Sequence, residues 1–284
     1  MEVDLAAPEA FVENSRVGSR IATLACAFVL AAPSAQAEST GPPALVVLEL
    51  FTSQGCSSCP AAEELLSRIG LDPGTRELVA PLAFHVDYWD ELGWRDPFSD
   101  RAWSFRQMQY QHALKVAGGA YTPQLVVNGQ AELNGTHARR VLSELEAAQQ
   151  QDVVASVELA ARLCEGARRP ALAVDVKATL LGEVAAGKLE LKLAVFENGV
   201  VTAVRRGENG GRTLRNDFVV RRLETAFSLQ PTKGARGERQ LTLKLDRDWQ
   251  LQNLGVAAFL QDSSSLRILA AAARQLAGPA APGR

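Results

Sequence analysis

The sequence predicts an α/β domain over residues 43–150, with a central mixed sheet and flanking helices, followed by an all-β, sandwich-like domain over residues 151–276. Two observations predict this order. In the first half, short apolar runs of strand type alternate with segments whose apolar residues recur at helical spacing. In the second half, apolar and polar residues alternate with period two, and Asn-Gly turns separate the segments, which is typical of half-buried antiparallel strands.

The composition is that of ordinary globular domains. The chain has 284 residues, of which 47% are hydrophobic and 22% are charged, so it can form two modest cores. Removal of residues 1–37 would remove four acidic and two basic side chains and leave 28 of each. Phosphate binding needs a concentrated positive surface, which a neutral body lacks, so nucleic acid is not expected as a partner.

Residues 1–37 have the pattern of a secretory signal peptide. Arg16 and Arg20 precede an apolar run over residues 21–32, and a small-x-small cleavage site ends at Ala37. The run is shorter than the roughly 20 apolar residues of a membrane-spanning helix, so no membrane span is expected. The protein is therefore predicted to be periplasmic or secreted.

The first predicted strand leads into a pair of cysteines. Residues 45–51 form a short apolar run of strand type, and Cys56 and Cys59 follow it closely. Pro60 stands where the first turn of a helix tolerates proline, and apolar residues then recur at helical spacing through residue 69. The pair is thus predicted at the N-terminus of a helix.

That position predicts redox chemistry. Unpaired N–H groups at a helix start stabilise a thiolate, so Cys56 is expected to be an exposed nucleophile. Residues three apart lie on neighbouring parts of one helical turn, which lets Cys59 attack a mixed disulfide formed on Cys56. Such a pair is also half of a binding site for zinc or copper(I). The three histidines that would complete the site are widely separated in sequence. The site is therefore expected to contain neither a metal nor a cofactor.

The remaining segments of the first half continue the α/β order. Residues 82–87 form a second strand candidate, and residues 102–116 form a helix candidate. Pro123 opens the next strand, a position that suits a residue unable to donate to a sheet ladder. An Asn-Gly turn then predicts a hairpin, and a last helix, capped by Thr136, is expected to run to about residue 150.

The second half contains several strand candidates and one further cysteine. The sequence Asn209-Gly210 is interpreted as part of a hairpin tip. Cys164 is expected to be a buried or idle thiol, and residues 277–284 are predicted to form a flexible tail. The strand candidates are residues 153–163, 171–180, 188–196, 240–245 and 255–260.

Three separated motifs resemble a known family. They are Phe-Thr-Ser-Gln-Gly-Cys-Ser-Ser-Cys-Pro at residues 51–60, His-Val-Asp-Tyr-Trp-Asp at residues 85–90 and Thr-Pro-Gln at residues 122–124. With the element order, they resemble the thioredoxin-like superfamily. More closely, they resemble the secreted bacterial family called domain of unknown function 1223, over residues 45–276. That family brings no established substrate.

The resemblance to thioredoxin implies roles for particular residues. Pro123 would be a cis-proline that lies against the cysteine pair, and Thr122, with Tyr121 beside it, would offer backbone groups to a bound peptide. Glu49 lies close to the position of a buried acid that takes the proton from the second cysteine. The alternative for Glu49 is a strand-edge carboxylate that faces water.

The segment after the second strand supplies further candidates. Asp87, Tyr88 and Trp89 lie where open α/β sheets place their sites, and they are candidate substrate contacts. The alternative is a packed aromatic loop. Gly55 replaces the Trp that thioredoxins carry before the first cysteine, and two serines replace Gly-Pro between the cysteines. The direction of electron flow therefore stays open.

Three functions follow from these residues. The first is a thiol:disulfide oxidoreductase that acts on cysteine-containing exported proteins or small thiols and is recycled by an unidentified redox partner. The second is copper(I) or zinc handling. The third is a binding module in which the Cys56–Cys59 bond is structural. Exposure of Cys56 would support the first function, approach of a histidine or Cys164 to the pair the second, and burial of both sulfurs the third.

Overall fold

An eight-stranded mixed sheet dominates the structure, a computed structural model that describes residues 45–164 and 169–276. The predicted signal peptide, residues 1–37, and the predicted tail, residues 277–284, lie outside the described residues. Within the part of the chain that is described, no helix combines the length and apolar character needed to cross a membrane.

The elements of the first half follow the predicted order. The last helix differs at its start, because His137 and not Thr136 is its N-cap residue, and Thr136 instead donates a hydrogen bond to Asn134. The elements are β1 (Val46–Thr52), α1 (Cys59–Leu71), β2 (Val79–His85), α2 (Arg101–Ala113), β3 (Gln124–Val127), β4 (Ala131–Asn134) and α3 (Ala138–Gln149).

The second half consists mainly of strands. The sequence predicted five of them and missed four that are short, carry charged residues or are rich in alanine, which has low strand propensity. The predicted strands are β5 (Ala155–Leu163), β6 (Ala171–Leu180), β7 (Leu189–Glu197), β11 (Arg236–Lys244) and β12 (Leu254–Asp262). The missed strands are β8 (Val200–Ala203), β9 (Thr213–Asn216), β10 (Val219–Leu229) and β13 (Ile268–Gln275).

The large sheet takes strands from both sides of residue 150. Its order is β13-β12-β7-β10-β2-β1-β3-β4. β1 and β2 are parallel, and β10 extends the sheet beyond β2 at a pairing of Val219 with Ala83. β11, β6 and β5 form a second sheet, which shares an apolar core with β7 and β12. Sandwich-like packing is therefore present, but one of its layers continues the sheet of the first half.

Alternate residues of β1 face opposite layers of helices, as the pleat of a strand requires. Every residue of β1 is buried, because both of its neighbours are strands and both of its faces are covered. On one face, Thr52 contacts α1 through Glu63. On the other face, Glu49 contacts α2 through Arg106. This alternation decides which side chains of β1 can reach the cysteine pair.

Candidate functional site

Cys56 and Cys59 lie at the start of α1, where the sequence predicted them. Their Sγ atoms are within disulfide distance, and their Cα atoms are 5.5 Å apart. The turn that holds them is tight: the Cys56 N–H donates to the Ser53 carbonyl at 3.1 Å, and the Cys59 N–H donates to the Cys56 carbonyl at 3.3 Å. Cys59 is the first residue of the helix, so its sulfur is turned toward the interior while the two serines between the cysteines are exposed.

The Thr122–Pro123 segment lies beside the pair. Its peptide bond is cis, as the sequence predicts. The Thr122 carbonyl oxygen is 4.0 Å from Cys56 Sγ, and the Thr122 hydroxyl accepts a hydrogen bond from Trp89 Nε1 at 2.9 Å. Thr122, Pro123 and Trp89, three of the residues selected from sequence, are therefore brought to the first cysteine.

Buried polar side chains fix this segment from behind. Gln107 of α2 is fully buried and donates to the Tyr121 carbonyl at 2.8 Å. Its side-chain oxygen accepts from the Tyr88 hydroxyl at 3.2 Å. Burial raises the pKa of Tyr88 to about 12. Burial also raises the pKa of Tyr121, whose hydroxyl donates to Glu132 at 2.6 Å. Both tyrosines therefore stay neutral hydrogen-bond donors.

Asp87 is anchored to α2. The Ser104 hydroxyl donates to the Asp87 carboxylate at 2.5 Å and accepts from the Asp87 N–H at 3.1 Å. This reciprocal pair ties the end of the second strand to the first turns of α2. Of the three residues after β2, Trp89 contacts the Thr122 segment directly, Tyr88 acts through Gln107, and Asp87 holds the loop that carries both.

The structure corrects the role expected of Glu49. Its side chain is fully buried on the α2 face of β1, away from α1, and Arg106 Nε lies 2.5 Å from Glu49 Oε2. The Tyr110 hydroxyl donates to its other oxygen. Arg106 also contacts Gln261 of β12. Glu49 is thus half of a buried ion pair that joins α2 to the sheet, and the pattern of one strand could not distinguish this partner from a cysteine.

The buried acid next to the cysteine pair is Glu63, which the sequence argument missed. It lies one helical turn after Cys59, on the same face of α1. It is buried and accepts hydrogen bonds from the Thr52 hydroxyl at 2.6 Å and from Asn216 Nδ2 at 2.7 Å. Burial raises its pKa, although the charge of His85 and these two hydrogen bonds oppose the shift. The available signal was a glutamate at an otherwise apolar position of the helix.

His85 and Asp96 form a second buried ionisable pair near Glu63. His85 Nδ1 lies 2.7 Å from Asp96 Oδ2, and both side chains are fully buried. Burial lowers the pKa of His85, but the Asp96 carboxylate and the charge of Glu63 together outweigh burial, and the net shift is upward. Burial raises the pKa of Asp96, but the charge of His85 and the hydrogen bonds that Asp96 accepts together outweigh it, and the net shift is downward. The two groups therefore favour the charged pair.

Asp96 also reaches the cysteine loop. The same oxygen that contacts His85 accepts the Gln54 N–H at 2.7 Å. His85 Nε2 is buried and has no hydrogen-bond partner among residues 45–164 and 169–276. The Glu63 carboxyl, the His85 imidazole and the Asp96 carboxylate thus form one buried group of titratable side chains behind Cys56 and Cys59.

A hairpin from the second half covers the cysteine loop. We call residues 200–216, which comprise β8, β9 and the loop between them, the cap. Asn209 Nδ2 donates to the carbonyls of Gln54 and Cys56, at 2.9 Å each. Glu208 accepts the Ser57 N–H at 2.8 Å. The cap is thus hydrogen-bonded to three residues of the cysteine loop, Gln54, Cys56 and Ser57.

The structure corrects the expectation that Cys56 is exposed. The exposed fraction of Cys56 is 1%, and that of Cys59 is 0%. Both cysteines are therefore buried in the structure.

Within residues 45–164 and 169–276, no group of three or more His, Cys, Asp or Glu side chains is placed to hold a metal ion.

The fold and the site define a mixed α/β protein with a Cys-x-x-Cys pair at the start of a helix and a hairpin over that pair. The chain belongs to the family described as "Protein of unknown function (DUF1223)", whose model matches residues 47–261. Among proteins with curated functions, none matches this chain in sequence.

Two solved structures are similar over most of their length. A crystal structure of a protein from Agrobacterium tumefaciens is 27% identical, with a TM-score of 0.60, and the match covers 85% of this chain and 98% of that one. HBP35 of Porphyromonas gingivalis is 18% identical, with a TM-score of 0.62, and the match covers 85% of this chain and 79% of that one. The second likeness concerns the fold alone.

Proposed function

We propose that the protein is an exported thiol:disulfide oxidoreductase with a thioredoxin-like catalytic unit, which exchanges disulfides through Cys56 and Cys59. Its substrates are cysteine-containing exported proteins or small thiols. The element order from β1 to α3, the helix start at Cys59 and the cis-proline segment beside Cys56 support this proposal. Export is proposed from the signal-peptide pattern of residues 1–37.

The observation that carries the proposal is the burial of Glu63 one turn after Cys59. A structural disulfide needs no ionisable neighbour, and burial of a carboxyl group costs free energy unless it is well paired. A thiol exchanger needs a group that accepts the proton of the second cysteine and returns it. An acid with a raised pKa suits this task, because proton transfer is most efficient when donor and acceptor are closely matched.

In the reducing direction, the Cys56 thiolate attacks one sulfur of a substrate disulfide. A bond forms between Cys56 and that sulfur, and the other substrate sulfur leaves as a thiolate, which takes a proton from water. Cys59 then passes its proton to Glu63 and attacks Cys56 Sγ. This breaks the mixed disulfide, releases the second substrate sulfur and leaves the Cys56–Cys59 disulfide, so two electrons pass from the pair to the substrate.

The oxidising direction uses the same atoms in reverse. A substrate thiolate attacks Cys56 Sγ, and Cys59 leaves as a thiolate that Glu63 protonates. Cys56 is the sulfur that reacts with substrate, because it precedes α1 and lies beside the Thr122 carbonyl, whereas Cys59 is inside the first turn of the helix. Thr122, whose carbonyl lies beside Cys56, is placed to pair with the main chain of a peptide substrate.

Trapping of the mixed disulfide tests this mechanism. The Cys59→Ser variant has no resolving thiol, so incubation with glutathione disulfide is expected to leave a stable glutathione adduct on Cys56, detected by mass spectrometry. The matched control is Cys56→Ser, whose remaining Cys59 lies in the first turn of α1 and is expected to form no adduct. Both variants also carry Cys26→Ser and Cys164→Ser, which remove the other two cysteines of the sequence. Equal modification of the two variants would contradict the assigned roles.

The burial of both cysteines favours a second candidate function, a binding module with a structural disulfide. In that case both variants would be less stable than the parent protein, because each lacks the disulfide, and neither would trap glutathione while folded. The buried Glu63, His85 and Asp96 group weighs against this candidate, since a static disulfide gives no reason to retain titratable side chains behind it.

A further inference from the structure

We propose that the cap gates the cysteine pair: Cys56 reacts only after the cap loop, residues 205–212, has moved away, and Asn209 is the residue that holds the loop closed. The gating role rests on the proposed function, whereas the covering of the pair can be tested without it. The inference starts from the contradiction between a reactive pair and an exposed fraction of 1% at Cys56.

Asn209 is fully buried, and its side-chain groups are used for closure. Its Nδ2 atom donates to two carbonyls of the cysteine loop, those of Gln54 and Cys56. Its Oδ1 atom accepts from Arg212 Nη1 at 2.7 Å, which orients the amide. A buried asparagine satisfied in this way links two segments that are 153 and 155 residues apart in sequence. Its loss would leave both carbonyls without this donor.

The rest of the cap loop is exposed and is held without large apolar side chains, so it can open locally. Residues 205–208, 210 and 211 are exposed, and the loop contains no large apolar side chain. Its contacts with the cysteine loop are hydrogen bonds, and Gly207 and Gly211 have positive φ angles, of 75° and 84°. Segments held by few apolar contacts open locally at low free-energy cost. The strands β8 and β9 are anchored by the buried Val200 and Leu214, so opening is confined to the loop.

The closed loop occupies the side from which a substrate must approach. Glu208 holds the Ser57 N–H, one residue after Cys56. Gly207 packs against the turn at Gly93, where a Cβ atom would lie 3.2 Å from Gly207 Cα. Thr122, which Trp89 holds by a hydrogen bond, also lies beside Cys56. Displacement of residues 205–212 is thus the opening that leaves α1, the sheet and the cis-proline segment in place.

The rate at which dithiothreitol reduces the oxidised protein measures this opening. One dithiothreitol thiolate attacks Cys56 Sγ, and the bond to Cys59 breaks. The second dithiothreitol thiol then displaces Cys56, which leaves two protein thiols and the cyclic disulfide of dithiothreitol. When opening precedes attack, the rate is proportional to the open fraction. Trapped thiols are counted over time in full-length protein that carries Cys26→Ser and Cys164→Ser, so that Cys56 and Cys59 are the cysteines that remain.

Asn209→Ala is expected to speed reduction about tenfold, since two hydrogen bonds to the cysteine loop are lost. The equilibrium with glutathione is expected to change less than about twofold, because the Gln54 and Cys56 carbonyls are present in both redox states. Glu208→Ala is expected to speed reduction about threefold through loss of the Ser57 contact. Arg206→Ala is the matched control, an exposed change in the same loop that should leave the rate unchanged.

Equal rates for wild type, Asn209→Ala and Glu208→Ala would overturn the gate. A faster Asn209→Ala rate with a shifted glutathione equilibrium would also overturn it, since Asn209 would then act on the disulfide itself. Should Asn209→Ala fail to fold, the reduction rates of alanine variants at the exposed positions Glu208 and Arg212 test the gate in the same assay. A pair that cannot exchange with glutathione would refute the proposed function, and the rate differences among these variants would still show whether the cap covers it.

Discussion

Replacement of Glu63 by glutamine is expected to remove a specific part of the pH dependence of stability. Burial raises the folded-state pKa of Glu63 above the ordinary value of 4.5. A raised carboxyl pKa means that the folded chain holds this proton more tightly than the unfolded chain. Its stabilising contribution is therefore fully present below the unfolded pKa and is lost as the pH rises through the folded pKa.

The magnitude follows from linkage. In the pH window between the two pKa values, the folded chain holds one more proton at Glu63 than the unfolded chain. Wild-type stability therefore falls by about 1.4 kcal/mol per pH unit through this group. Glutamine cannot ionise, so the variant lacks this decline. Its amide also offers one acceptor oxygen where the carboxylate offers two, to Thr52 and Asn216, and this loss costs about 1 kcal/mol at every pH. The test therefore depends on how the free energy of unfolding changes with pH, and not on the constant difference between the variant and wild type.

Urea unfolding of the oxidised protein, measured from pH 4 to pH 9, provides the test. The stability difference between Glu63→Gln and wild type should grow in favour of the variant above pH 4.5 and level off beyond the folded pKa. Glu64→Gln is the matched control, because that side chain is 71% exposed on the same helix and its variant should run parallel to wild type. A Glu63→Gln curve parallel to wild type over the whole range would refute the assignment of a raised pKa to Glu63.

Three further predictions concern the surroundings of the site. Arg106→Met should lower the free energy of unfolding by about 3–5 kcal/mol, because it leaves the Glu49 carboxylate buried without its cation. The Glu49→Leu, Arg106→Met double variant is expected to recover stability. An unchanged stability of the single variant would argue against a buried ion pair. Asp96→Asn should lower the pKa of His85, measured by NMR of the imidazole, and an unshifted titration would show that the pairing is weak. Gly129→Ala should destabilise the fold by at least about 2 kcal/mol in chemical unfolding. The φ angle of Gly129 is +65°, and an added Cβ atom would overlap the Leu266 carbonyl oxygen. A smaller loss of stability would show that this turn can relax.

Local patterns predicted the first half of the chain well. The apolar run before Cys56, the proline in the first turn of α1 and the proline that opens β3 each act through neighbours a few residues away. The sequence therefore placed the cysteine pair at a helix start, and this needs no knowledge of distant strands. The cis bond before Pro123, which the structure shows, was expected only from the resemblance to thioredoxin.

The remaining features depend on contacts between distant segments. Glu49 and Glu63 are both acids on otherwise apolar faces of their strand or helix. Only the partner across the layer, Arg106 for one and Asn216 for the other, separates an ion pair from a candidate proton acceptor. β10 carries consecutive arginines and was missed, yet it extends the sheet at β2. Its pairing buries the edge of β2, which the strand's own residues do not reveal.

The cap shows the same limit more sharply. The turn at Asn209 was interpreted as part of a hairpin tip, and residues 200–216 do form a hairpin. That its asparagine is fully buried and bonded to the cysteine loop could not be inferred, because the two partners are more than 150 residues apart. A polar turn sequence indicates exposure on average, whereas this residue is buried by what lies beneath it.

The reduction potential of the Cys56/Cys59 pair tests the central claim most directly. It is measured by equilibrating the Cys26→Ser, Cys164→Ser protein in glutathione buffers, for long enough to allow the cap to open, and trapping the free thiols. A working thiol exchanger is predicted to give a value between about −270 and −120 mV, and the value also indicates the direction of electron flow. A value below about −300 mV would mark a structural disulfide and contradict the proposed function.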